Sequence, residues 1–215
     1  MIRIVRLFII LSLITVIAEN VRGQATTSGA NTITTAVPFL SITPDSRAGG
    51  MGDAGVGTTP DLNSQHWNPA KYVFMESETG VSLSYSPWLR ALVDDINLAY
   101  LAGYKKIDDV QTISSSLRYF SLGDIIFTGE LGEYRGQQSP NEFAIDLGYS
   151  RQLSELFSGA VTVRYIRSDL TGGQMVGGVE SHAGNTYAAD VAFYFHNEFR
   201  ANRKDNIFSA GINIQ

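Results

Sequence analysis

The 215-residue chain has no cysteine and only three histidines. The first absence excludes disulfides, thiolate-ligated zinc or iron–sulfur centres and a thiol nucleophile. His66, His182 and His196 are scattered without metal-ligand spacing, so no metal or cofactor is expected. Positive charge is also short: 16 Lys and Arg against 21 Asp and Glu leave a net charge of −5 and no basic face for nucleic acid. No apolar run is long enough to cross a bilayer comfortably as a helix; the run from Leu7 to Ala18 is about a dozen residues. Finally, no βαβ alternation surrounds Gly50-Met51-Gly52-Asp53-Ala54-Gly55, which spells G-x-G-x-x-G. Gly57 and Pro60 interrupt any helix opening on its last glycine, so the string carries no dinucleotide site.

Among the features present, the N-terminus reads as an export signal over residues 1–23. Arg3 and Arg6 make a positive n-region, the apolar run follows, and Val21-Arg22-Gly23 puts small residues at a cleavage site. Residues 24–78 form a second region. A Thr/Ala/Ser/Asn lead-in is followed by Pro38-Phe39-Leu40-Ser41-Ile42, read as extended. Thr43 is then the expected cap of a one- or two-turn helix with Pro44 at its first position, and a further short helix is expected around Pro69-Ala70-Lys71-Tyr72. Four glycines from Gly49 to Gly55 allow close backbone approach but supply little core, which suggests a compact irregular element packed against something larger.

From Thr79 onward the pattern has period two. Val81, Leu83 and Tyr85 alternate with serines. Ile96, Leu98, Tyr100 and Tyr104 form the apolar phase of the next run, and five more runs follow: Leu117–Tyr119, 143–149, 161–165, 187–195 and 208–214. The opposite phases carry small residues and single charges such as Asp146, Arg164 and Asp190, the mix of a hydrated or plugged lumen. Aromatic residues stand toward strand ends, at Tyr85, Trp88, Tyr104, Tyr119, Tyr149 and Phe195, where an interfacial girdle would lie. Connections alternate long and short, as in outer-membrane barrels with short periplasmic turns and long extracellular loops. A soluble sandwich gives no reason for that alternation. The expected fold is therefore an all-β transmembrane antiparallel outer-membrane β-barrel. Seven strands cannot close such a barrel, so residues 79–215 are expected to be its first half, and the chain a truncated one.

Arg47-Ala48-Gly49-Gly50-Met51-Gly52-Asp53-Ala54-Gly55-Val56, followed by Asn63-Ser64-Gln65-His66-Trp67-Asn68-Pro69-Ala70-Lys71, resembles the N-terminal signature of FadL-like barrels. With Pro38-Phe39-Leu40-Ser41-Ile42-Thr43-Pro44-Asp45-Ser46, it more closely resembles the PorV family, outer-membrane proteins of the type IX secretion system of Bacteroidetes. The resemblance implies a fourteen-stranded barrel with an N-terminal hatch and a role in protein transport without enzymatic activity. The implied partners are outer-membrane lipid, the type IX translocon, the C-terminal signal domains of secreted cargo, and a surface attachment complex with a separate sortase. The alternative implied by the wider superfamily is a FadL-like transporter of hydrophobic small molecules.

On this reading the hatch motif comprises Arg47, Gly49, Gly50, Gly52, Asp53, Gly55, Trp67, Asn68 and Pro69, with Asn68-Pro69 fixing a turn before the first strand. Arg47, Asp53, Asp146, Arg164 and Asp190 are candidates for a luminal ion network. A barrel hydrolase would need a histidine on a lipid-facing patch, and His196 falls on the luminal phase. Partner recognition is expected in the loops, at Trp88, Leu89 and Leu92, at Phe127, Leu131 and Tyr134, and at Met175 and Val176, because a rigid barrel carries its binding residues there.

Overall fold

The alternating runs become strands that lie side by side in chain order. They are β1 (Thr79–Pro87), β2 (Asn97–Asp108), β3 (Gln111–Ser121), β6 (Asn141–Ser154), β7 (Phe157–Asp169), β10 (Gly184–Ala201) and β11 (Lys204–Ile214). Two small hairpins, β4 (Ile125–Thr128) with β5 (Tyr134–Gln138) and β8 (Met175–Val176) with β9 (Val179–Glu180), occupy connections expected to be plain loops. In the computed structural model the described residues are 37–88, 95–128, 132–170, 175–176, 179–180, 182–201 and 204–215. All of them fall in one unit, Val37–Gln215. The seven long strands form one antiparallel sheet in the order β1-β2-β3-β6-β7-β10-β11, half of an outer-membrane β-barrel. The export segment and lead-in expected over residues 1–36 lie outside the described residues.

Strands of 9 to 18 residues are long enough to cross a bilayer when tilted. Only two residues separate β2 from β3 and β6 from β7, while two of the links at the other end, β3 to β6 and β7 to β10, carry the hairpins. Apart from β2, the outer face of the long strands is predominantly apolar. Val81 is 71%, Leu83 76% and Tyr187 81% exposed, in line with Leu117, Ile145, Val163 and Ile212. A patch of this extent requires lipid rather than water against it. Aromatic rings border it. Phe143, Tyr165 and Tyr187 follow one another at 6.0 and 5.3 Å toward the long loops, and Phe157 stacks on Phe193 at 5.8 Å toward the short turns.

One strand reverses the expected phase. Leu98, Tyr100 and Tyr104 are buried on the inner face, with Ile96 packed beside them, and the outer face of β2 carries Asn97, Ala99, Leu101 and Gly103. Period two reports two faces without saying which is inside. Here apolar hatch residues cover the inner face, so Tyr104 stacks on Tyr72 at 4.8 Å instead of joining a girdle.

Residues 37–78 lie against the inner face as short helical segments: a 3-10 turn Pro38–Ser41, helices Ser46–Gly50 and Ser64–Trp67, and a 3-10 helix Pro69–Phe74. The first was expected to be extended. Proline at its first position and the Ser41 hydroxyl donating to Pro38 O (2.7 Å) close it instead. Phe39 then stacks over Phe120 and seals a core with Leu98, Ala144 and Ile166. A second core joins Ala70 of the hatch to Ala160, Ala192 and Tyr194 of the wall.

Candidate functional site

The hatch is locked internally before it is locked to the wall. Asp45, rather than the expected Thr43, caps the helix Ser46–Gly50: its Oδ1 accepts from Ala48 N at 2.8 Å. Its other oxygen accepts from Trp67 Nε1 at 2.9 Å, so one buried carboxylate fixes both halves of the motif. Thr43 donates instead to Asp53, which has a positive φ of 61° beside Gly52 at 73°. Such a pair reverses the chain after the helix. The helix therefore precedes Gly50 to Gly55 instead of following it, the opposite of a nucleotide-binding turn.

Gly55 lies flat against Trp67: a Cβ there would stand 2.2 Å from the indole ring. Gly49 and Gly50 are looser, since a Cβ added at the former would meet Thr43 at 3.8 Å and one at the latter would meet nothing within 4 Å. Arg47 pairs with Asp61 at 2.5 Å and donates to Thr59. Lys71 is completely buried, and its Nζ donates to Gly55 O (2.9 Å) and Thr58 Oγ1 (3.2 Å). Burial, only partly offset by Asp61, pulls its pKa down to about 8.

Asn68 joins hatch to wall. It is fully buried; its Oδ1 caps the following helix by accepting from Ala70 N (3.1 Å), and its Nδ2 donates to Val56 O (3.2 Å) and to Phe193 O of β10 (2.9 Å). Pro69 follows at the first helical position, where its missing N–H costs nothing. Its carbonyl accepts from Ser150 of β6 at 2.7 Å, and that of Ala70 from Ser158 of β7 at 2.6 Å.

The other strands contribute in kind. Ser82 of β1 donates to Asn63, Tyr104 of β2 bonds Ser77, Tyr194 of β10 donates to Thr58 O, and Ser209 and Asn213 of β11 donate to Gly57 O and Trp67 O. From β3, Arg118 donates to Phe39 O, to Leu40 O and, at 2.6 Å, to His66 Nδ1, with its guanidinium 5.4 Å above the Tyr100 ring. An arginine always donates, so His66 Nδ1 accepts and the ring is uncharged. Burial first, then the charges of Arg118 and Arg164, hold its pKa well below the usual value. All seven long strands thus hydrogen-bond the hatch through a side chain.

Asp146, Arg164 and Asp190 do form a buried network: Arg164 reaches Asp146 at 2.6 Å and Asp190 at 3.0 Å, and Ser116 donates to Asp146. Arg47 and Asp53, expected to join it, are occupied within the hatch: Arg47, on the helix Ser46–Gly50, reaches Asp61, and Asp53, in the turn after it, accepts from Thr43.

A family model described as Type IX secretion system protein PorV matches residues 25–215. The chain belongs to the PorV family. Membership makes it a component of the type IX secretion machinery, and with the barrel sheet it places the chain in the outer membrane. Among curated proteins no match is found. Of the loop residues expected to recognise partners, two have described side chains. Trp88 is 39% and Tyr134 66% exposed, alongside Ile125 and Ile126 on the β4 strand. Leu89, Leu92 and Leu131 lie outside the described residues; Phe127, Met175 and Val176 fall on the hairpin strands, and nothing is described of their side chains. Sequence reasoning missed Asp45, Arg118 and Lys71. Only the helix-start string around Asp45 carried a signal.

Proposed function

We propose that this PorV-family protein accepts secreted cargo by its C-terminal signal domain as it leaves the translocon and delivers it to a surface attachment complex, where a separate sortase removes the signal. Family membership carries this reading. The geometry supports it through a barrel half whose inner face is bonded to its hatch from every long strand, which suits a carrier that works from its outer loops. A conduit for hydrophobic small molecules needs an apolar luminal passage. The apolar residues of the inner face are instead packed against the hatch, and between them the inner rows present Ser114, Ser116, Asp146, Thr162, Arg164 and Asp190. Within this proposal the motif from Arg47 to Pro69 is a seal, and Trp88 and Tyr134 are contact residues for protein, since exposed aromatic side chains on a rigid scaffold are strong anchors. Deletion of the gene is expected to abolish surface display of type IX cargo, and purified protein is expected to capture a cargo C-terminal signal domain less well after Trp88→Ala or Tyr134→Ala. Unchanged display in the deletion strain refutes the reading.

A further inference from the structure

The outer wall is not evenly clothed. In register across four strands, one outward row runs Val81, Gly103, Ser115, Leu147, so its two middle positions are a glycine and a serine. The rows on either side put Leu101 and Ile113 on the same two strands. The result is a depression of about 680 Å³ between apolar walls. The Ser115 hydroxyl is turned onto Asp146 O at 2.9 Å, which satisfies the one outward hydroxyl of this row. Gly103 is constrained to stay small, because a Cβ would meet Gly80 O at 3.3 Å and Val81 at 3.5 Å.

Lys105 lies two residues further along β2 on the same face, about 7 Å toward the short turns by strand rise. It is exposed, lines the depression, and among the described residues is engaged in no ion pair. A second outer depression of about 580 Å³ surrounds Ala189; the corresponding position toward the short turns is Val191, and the cation in its lining, Arg164, has its guanidinium turned inward onto Asp146 and Asp190. An apolar slot with a cation at its interfacial end has the chemistry of an acyl chain below a phosphate.

We propose that the Gly103–Ser115 depression holds one acyl chain of an anionic phospholipid of the periplasmic leaflet, with its phosphate on Lys105. The proposal rests on the barrel lying in the membrane with its short turns periplasmic. Its test is native mass spectrometry of the detergent-solubilised full chain with phosphatidylglycerol or with phosphatidylcholine of the same acyl chains. The unaltered protein is expected to retain phosphatidylglycerol in preference. Lys105→Gln should lower that preference about fivefold, the effect of one basic residue near a lipid surface. Ser115→Leu should reduce retention of both lipids, while Arg167→Gln, at the long-loop end, should change neither. An unaltered lipid ratio in Lys105→Gln or undiminished retention in Ser115→Leu overturns the site, as does a co-purified protein that crosslinks from position 115 in place of lipid. Recovery of the chain from the soluble fraction without detergent would instead overturn the membrane placement itself.

Discussion

Replacing Asn68 tests whether the hatch is held by specific bonds or only by shape. Its side chain makes three hydrogen bonds, to Ala70 N, Val56 O and Phe193 O, at 3.1, 3.2 and 2.9 Å. At about 1 kcal/mol net for each, Asn68→Ala should weaken the hatch by about 3 kcal/mol. That corresponds to roughly a hundredfold increase in the opening equilibrium. Amide exchange of residues 64–74 in detergent-solubilised protein reads this directly, because exchange from a locally opened state reports its population. Asn68→Asp is the sharper perturbation. The carboxylate keeps the cap to Ala70 but turns an oxygen toward two carbonyls, and burial raises its folded pKa above the unfolded value of about 3.9. Its cost is small below the unfolded pKa and grows as pH rises toward the folded one. The Asp variant should therefore open more readily at pH 8 than at pH 5. Exchange within twofold of the unaltered protein in Asn68→Ala, or a pH-independent defect in Asn68→Asp, would refute the pinning argument.

Other outcomes follow from neighbouring contacts. Gly55→Ala forces a methyl into Trp67 and should cost about 1–3 kcal/mol of hatch stability, whereas Gly50→Ala, with open space around it, should shift thermal unfolding little. Two buried bases make hatch stability depend on pH. His66 resists protonation when folded, so stability should fall as pH drops below about 6.5. Lys71, with a folded pKa of about 8 against an ordinary 10.5, binds its proton less well when folded, so stability should rise from pH 8 to 10.5 by about 3 kcal/mol. Exchange measured from pH 5 to 10.5 checks both limbs, and Lys71→Met should flatten the alkaline one. Asp190→Asn loosens one arm of the buried Arg164 network and should lower thermal stability by about 3 kcal/mol, the lower end of the cost of breaking a buried pair.

Much of the architecture is legible in the residues themselves. Period two along seven runs sets the strands, since successive side chains must point to opposite faces, and the alternation of long and short links sets their antiparallel order. The Gly-rich motif and Trp67-Asn68-Pro69 mark the hatch and the family. What the runs cannot say is which face is inside. On β1, β3, β6, β7, β10 and β11 the apolar phase faces out, but on β2 it faces the hatch, a choice made only when Phe39 and Tyr72 arrive from residues far away in the chain. The locks depend on tertiary structure in the same way. Asp45 is 22 residues from Trp67, Arg118 52 from His66, and Asn68 125 from Phe193. Local preference reaches only a turn or two along the chain. Sequence alone therefore determined strands, a hatch and a family, while the partners of the hatch's buried polar groups were decided by the packing of the sheet against it.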